Sequence, residues 1–504
     1  MYKNILTCLS TVLLSTGIYA QQLPAENDTV NYRLAGFSEP FKDKHGQYLL
    51  EVAEGHYTSP AEFEKHIIIT KTGNDNKIIA TLPAFSMPYT WRMSPMAANG
   101  NKVATGTLHR FRTGTLAFTD SSRYRLRIID TATHHKDMLV FYDDFKAICD
   151  MKGNVLWYLP VIPRIVEEFM NIRDLKPTGA GTITFMGGTS ICEIDYNGNV
   201  LWEQPKGKEI PRDSNVQAYH HEFTRLRNGH YMVAAFDLGT IELNITHLDT
   251  SGPRRLKLQF YKGEDGKYYR QFPVGCIKEF DAEGNLVWTW HAPASLINNT
   301  EFIKRMPRFA EELTPHMNSF YFDEDRNYIY ASYRNAHTIL KIKYPEGNVV
   351  AMYNGNKKTP PDFRAQHCVR LNANGDILLF NNNFLMGRDT SAFKKSSYVT
   401  VLKQMPDNTL KKKWEFSCRI DTAAAPSTGS GGGVFELSDG CIISTVGTAG
   451  RTFIVDPSKK VVWNAVTEEK GDEGWHHYSQ YRVSIIENEE ALKKLVFKSI
   501  EVIN

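Results

Sequence analysis

His221, His316 and His367 each open a stretch of the same design: a short apolar run, a polar turn, then a β-rich strand. The three read HEFTRLRNGHYMVAAF, HMNSFYFDEDRNYIYASYR and QHCVRLNANGDILLF. Asn228-Gly229 and Asn374-Gly375 lie the same distance beyond His221 and His367, so those two share a register. In the middle copy the turn residues Asp325 to Asn327 fall a few positions later. A closed circular array of repeats brings equivalent positions to equivalent places around one axis, and three imidazoles would then face one site. Imidazole titrates near neutrality and serves as nucleophile, acid, base or metal ligand. Such a placement points to chemistry, because neither packing nor solubility asks for it.

Two neighbours extend the set. Asn318 lies two residues after His316, on the same face of an extended segment. Arg334 ends the strand of that copy, in SYRNAH; its planar fork of donors fits a tetrahedral oxyanion and stays charged at any working pH. Arginine beside several imidazoles suits a sulfate or phosphate ester. The same histidines also match a catalytic zinc held by three imidazoles and water, so a metal-assisted hydrolase or lyase is the alternative. Asn171 and Gly432 occupy the corresponding places in the flanking copies. The missing side chain at Gly432 would leave room for a ligand.

The elements that must position these residues show a second repeat, a strand–turn–strand ending in tryptophan. It appears as AICDMKGNVLWYL (147–159), ICEIDYNGNVLWEQ (191–204) and CIKEFDAEGNLVWTW (276–290), with weaker copies over 339–353, 399–416 and 452–466. Short strands repeating at such intervals are the mark of a β-propeller. Six hairpins predict six blades, with the tryptophans packed between them and the segment 476–486 returning to close the ring beside the first hairpin. The expected fold is all-β: an N-terminal β-sandwich over 21–125 and a six-bladed β-propeller over 126–504. Within the propeller, 250–273 reads as a polar surface insertion and TAAAPSTGSGGG (422–433) as an aperiodic small-residue loop.

At 504 residues, with 59 Lys+Arg against 56 Asp+Glu, the chain signals neither a nucleic-acid partner nor a membrane surface. Residues 1–20, MYKNILTCLSTVLLSTGIYA, carry one lysine and an apolar stretch too short to span a bilayer, so they read as a signal peptide cleaved after Ala20. Export to the periplasm follows. Of the seven cysteines, six remain after cleavage: Cys149, Cys192, Cys276, Cys368, Cys418 and Cys441. The first three sit an odd number of residues before a turn aspartate, on one strand face, and buried free thiols are expected. No C-x-x-C, H-E-x-x-H, nucleotide-binding G-x-x-x-x-G-K-[ST] loop or C-x-P-S-R sulfatase motif occurs. Neither a cofactor nor a structural metal is expected.

Residues from about 130 to 480 resemble the bacterial arylsulfate sulfotransferases in the motifs HHEF…NG, H-M-N followed by S-Y-R, Q-H…NG-D-ILLFNN and FELSDGCIIST. Phe380-Asn381-Asn382-Asn383 stands where that family commonly has an acidic residue with glycine. The resemblance implies an exported six-bladed propeller that moves a sulfuryl group from a phenolic sulfate to a phenol without a nucleotide. It implies that His367 is the nucleophile, sulfated on nitrogen, and that His221 and His316 move protons and polarise the ester. Arg334 and Asn318 would hold sulfuryl oxygens, with Thr445 a further ligand contact. His476 and His477 lie in the closing segment, where His477 is a candidate to reach the channel. A non-catalytic exported propeller that binds sugars or proteins is the competing function from another class. The oligomeric state is left open, a homodimer included.

Overall fold

The computed structural model describes residues 22–41, 46–132, 134–187, 190–205, 219–243, 260–292, 315–355, 363–383 and 396–498. The leader reading at 1–20, with Cys8, lies outside these residues, as do 250–259 of the expected insertion. Strands dominate. The two α-helices among the described residues, Pro60–Lys65 and Glu489–Val496, are short.

Six antiparallel sheets follow one another along the chain. Four strands form each of the second (Arg173–Pro177 to Val200–Pro205), fourth (Met317–Asp323 to Val349–Asn354) and fifth (His367–Leu371 to Leu410–Ser417). The third runs from Tyr219–Arg225 to Leu286–His291, and its two central strands, Tyr231–Leu243 and Tyr268–Phe280, pair along their whole length. Part of the expected insertion is therefore an extension of this hairpin, joined by Phe260–Lys262. The sixth runs from Gly433–Glu436 to Val461–Gly471. In the first, Leu139–Tyr142, Ala147–Asp150 and Val155–Tyr158 are completed by Val483–Ile486 from the C-terminus, as anticipated.

The hairpin repeat has a physical basis in its turn. Asp150, Asp195 and Asp281 each accept backbone N–H groups two to four residues ahead, and the following Asn154, Asn199 and Asn285 side chains donate back to them. Gly153, Gly198 and Gly284 adopt positive φ at these turns, which glycine does at no steric cost. The tryptophans pack between sheets as expected and also donate across them. Trp157 Nε1 bonds Tyr196 O at 2.7 Å, Trp290 bonds Gly347 O at 2.9 Å and Trp414 bonds Pro457 O at 3.1 Å. Trp463 bonds Met151 O at 3.1 Å, carrying the pattern from the sixth sheet back to the first. A buried indole N–H needs such an acceptor.

The first strands of successive sheets pack on one another, and Gly432 N–H donates to Tyr481 O at 3.0 Å where the sixth meets the returning C-terminal segment. That segment is clasped by carboxylates. Asp144 accepts Tyr481 N–H at 2.7 Å and Asp143 accepts Arg482 N–H at 3.1 Å. Before the six sheets, a five-stranded sheet and the pair Leu34–Ser38/Lys77–Thr81 share a core with the first two sheets and the C-terminal helix. Tyr124–Asp130 pairs with Val461–Gly471 of the sixth sheet.

Candidate functional site

The inner strands are bulged where the histidines sit. Pairing shifts between Tyr219 and Phe223, between Met317 and Ser319 and between His367 and Arg370. His221 and His316 take φ of 64° and 54°, a left-handed conformation that costs a non-glycine residue energy and that clusters at functional sites. A bulge re-aims a side chain out of the sheet's alternation, so these rings leave the flanking sheets for the space between them.

There the rings meet. The His221 and His316 ring centroids lie 4.9 Å apart, nearly perpendicular. His367 is buried, and its charge acts on both His221 and His316 and that of His316 acts on His221, which helps hold those two neutral. His367 Nδ1 lies 2.7 Å from Asn382 Oδ1 and 3.0 Å from Ala365 O. Asn382 donates its amide to Thr428 O and Gly431 O, both at 3.0 Å, which fixes its oxygen towards the ring. Both partners of Nδ1 are acceptors. The proton therefore sits on Nδ1, and Nε2 carries the lone pair. Burial pushes the His367 pKa down to about 3, Arg334 adds to the effect and the Asn382 bond opposes it. His316 and His221 are held well below the usual histidine range, first by burial, then by Arg334 for the one and His220 for the other. All three are neutral at pH 7.

Arg334 follows the second strand of the fourth sheet. Its N–H donates to His316 O at 2.9 Å, and its guanidinium donates to Asn335 Oδ1 at 2.9 Å and Gly429 O at 2.7 Å. The small-residue loop 422–433 thus supplies acceptors to both Arg334 and Asn382, a role its composition does not announce.

Other expected residues sit differently. His316 is left-handed, so it and Asn318 do not share an extended face; Asn318 is fully buried and donates to Gln366 O at 2.7 Å, bracing the strand that carries His367. Thr445 is fully buried in the sixth sheet opposite Gly433 and Thr452, its hydroxyl without a hydrogen-bond partner. The space beside Gly432 is taken by the Phe380 ring, 2.2 Å from where a Cβ would stand, and leaves no room for a ligand. His477 is exposed, on a strand paired with Glu468, and does not reach the histidines. Asn171 is exposed as well. All six cysteines are buried and free; Cys368 is core, although its φ of 51° departs from an extended strand.

Four residues near the histidines escaped sequence reasoning. His220 Nδ1 lies 2.8 Å from His221 Nδ1, so one ring donates to the other. Tyr481, on the returning segment, contacts the rings of His221 and His367 at 5.7 and 6.1 Å. Its hydroxyl is buried without a partner, and burial raises its pKa to about 12. Arg173 lies over the Tyr481 ring at 4.8 Å. Arg482 is buried beneath, bonded to Glu222 Oε2 at 2.7 Å, His221 O at 2.9 Å and Asn318 O at 2.6 Å. The HHEF motif carried His220 in plain view, but no local pattern ties Tyr481 and Arg482 to strands some 260 residues earlier.

Among the described residues, one group of three metal-ligating side chains has its ligand atoms within 4.8 Å of one another, namely His135, Asp439 and Cys441. None of the three clustered histidines belongs to it.

A family model described as arylsulfotransferase (ASST) matches residues 113–252. The chain resembles the arylsulfotransferases. The matched segment includes His220, His221 and Glu222, and ends before His316, Arg334 and His367. No curated protein matches. Among solved structures, a Bacteroides caccae protein of unknown function is 11% identical over 73% of this chain and 100% of that one, with a TM-score of 0.41. A streptogramin B lyase is 10% identical over 72% and 98%, with a TM-score of 0.36. A Pseudomonas aeruginosa periplasmic gluconolactonase is 9% identical over 87% and 99%, with a TM-score of 0.32.

Proposed function

We propose that this chain is an exported, periplasmic aryl sulfotransferase whose six sheets are the blades of a β-propeller. It would move a sulfuryl group from a phenolic sulfate to a phenol through a sulfohistidine on His367. The observation that carries this is the His367–Asn382 bond: a buried, neutral imidazole with its proton fixed on Nδ1 presents Nε2 as a nucleophile.

In the first half-reaction His367 Nε2 attacks sulfur and the S–O bond to the aryl group breaks, its electron pair leaving on the phenolate oxygen. The leaving phenolate oxygen accepts an N–H from neutral His221 or His316 and then takes its proton from solvent, and the His220–His221 contact holds the His221 tautomer. Arg334 and the hydroxyl of Tyr481 donate to the sulfuryl oxygens. In the second half the neutral imidazole of His221 or His316 takes the acceptor's phenolic proton as the acceptor oxygen attacks sulfur, the N–S bond breaks to restore His367, and the imidazolium returns its proton to solvent. Kinetics are ping-pong, and no nucleotide enters.

Rapid quenching with 4-nitrophenyl sulfate alone, followed by peptide mapping, should find the sulfuryl mass on His367. His367→Asn should abolish trapping and transfer together. A label on His221 or His316, or wild-type transfer by His367→Asn, overturns the assignment.

A further inference from the structure

Beside the histidines, on the far side of the Asp144–Arg173 ion pair and Tyr481, lies a separate cavity of about 250 Å³. Phe118, Tyr124 and Tyr478 form an aromatic wall, with ring centroids 4.7 Å (Phe118–Tyr124), 5.8 Å (Phe118–Tyr478) and 5.7 Å (Tyr124–Tyr478) apart. Phe169 stands at the rim, 67% exposed. Lys146 reaches the cavity from the tight turn of the first sheet, and the residue is only 1% exposed.

The charge on Lys146 is the anomaly. Its Nζ bonds the backbone carbonyls of Glu167 and Glu168 and lies 5.5 Å from the centre of the Phe118 ring, and among the described residues it has no carboxylate ion pair. Burial lowers its pKa to about 8, so it is still charged at pH 7. Its hydrogen bonds go to neutral carbonyls, with the carboxylates of Asp144 and Glu168 acting on it only at longer range, so an anion in the cavity would add the direct ion pair it lacks. The two carboxylates in the wall are already engaged. Asp144 takes Arg173 and the Tyr481 amide, while Glu469 takes the Tyr124 hydroxyl at 2.7 Å and Arg123 at 3.6 Å. Arg123 and Lys146 balance Asp144 and Glu469 in the lining, so it falls to Lys146 to meet a ligand's negative charge. A cavity of about 150 Å³ is enough for benzene, so this one admits a substituted single ring.

We propose that this cavity is a second ligand site, which binds a monocyclic aromatic anion with its ring against Phe118, Tyr124 and Tyr478 and its charge on Lys146. The class includes phenolates and aryl sulfates, but the site does not depend on sulfuryl transfer. Its test therefore uses a protein that cannot transfer. Benzoate and its neutral isostere benzamide are titrated calorimetrically into the His367→Asn/Arg334→Ala variant at pH 7. Benzoate should bind with one-to-one stoichiometry and benzamide roughly tenfold or more weakly, the range lost with one charged hydrogen bond. Lys146→Met in the same background should remove the preference for benzoate. If that variant fails to fold, Phe169→Ser on the exposed rim should still weaken benzoate severalfold. Absence of benzoate binding, equal binding of benzamide, or unchanged affinity in these variants overturns the proposal. Failure of the sulfuryl-transfer mechanism would show instead in the quench experiment on unmutated protein.

Discussion

The Asn382 side-chain oxygen meets His367 Nδ1 at 2.7 Å, while its amide is spent on two carbonyls of the 422–433 loop. An amide held this way cannot flip, so it selects one tautomer of the ring. A carboxylate in the same place would favour imidazolium; a neutral acceptor orients the ring and leaves Nε2 a base. The Asn-rich run that departs from the family pattern is thus compatible with a nucleophilic histidine.

Asn382→Leu should lower kcat by roughly 10- to 100-fold, the worth of one orienting hydrogen bond, with KM for the donor little changed. Asn382→Asp should raise the His367 pKa and move the acidic limb of the kcat/KM profile to higher pH. A pH–rate series on the two variants checks both; an Asp variant with an unmoved limb would show that Asn382 does not govern His367.

Much of the architecture is legible in the sequence because its causes are local. An aspartate, a glycine and an asparagine at fixed offsets make the turns of the first three hairpins, and a tryptophan such as Trp157 after them finds a buried acceptor in the next sheet. The three histidines are legible because they repeat. What hides is set by chain return and by bulges. Tyr481 and Arg482 enter the site only because Val483–Ile486 pairs with Leu139–Tyr142, and the left-handed turn at His316 separates it from the face Asn318 would share in an extended strand.

Tyr481→Phe separates stability from activity. The hydroxyl is buried without a partner, so its removal relieves an unmet desolvation cost and should leave Tm unchanged or slightly raised. Turnover should fall by roughly 10- to 100-fold if the hydroxyl donates to the sulfuryl oxygens. Thermal melts and steady-state rates on one preparation decide it, and an unaltered kcat would remove Tyr481 from the mechanism.

Acid should destabilise the fold through its buried histidines. His220 and His367 have folded pKa values pushed down to about 3 by burial, against an ordinary 6.5. Between those values the unfolded chain binds protons that the folded chain refuses, so stability falls as pH drops from about 6.5 towards 3 and is insensitive to these groups above 6.5. Denaturant titrations at several pH values should show that slope, and His367→Asn should make it shallower.

Arg334→Lys should fail to rescue Arg334→Ala. The guanidinium donates to Asn335 Oδ1 and Gly429 O together, a planar arrangement that a lysine ammonium cannot reproduce while also addressing a sulfuryl oxygen. Near-normal turnover in the lysine variant would reduce Arg334 to a general electrostatic contributor.

Arg482 carries the hardest structural prediction. One buried guanidinium holds the Glu222 carboxylate, the His221 carbonyl and the Asn318 carbonyl, joining the C-terminal segment to the third and fourth sheets. Arg370 also bonds Glu222, at 2.9 Å, and Lys176 does so at 3.0 Å. Arg482→Met removes one cation from this network and leaves two carbonyls unmet, so it should cost on the order of 3–5 kcal/mol, the usual penalty for breaking a buried ion pair from one side. Glu222 would keep Arg370 and Lys176, so adding Glu222→Gln should not restore stability; it would leave Arg370 without its carboxylate, while Lys176 keeps Asp174 at 2.7 Å. Denaturant midpoints for the single and double variants test this. A double variant as stable as the unmutated protein would mean that Arg482 matters only as the partner of Glu222, and that the carbonyls of His221 and Asn318 need no donor.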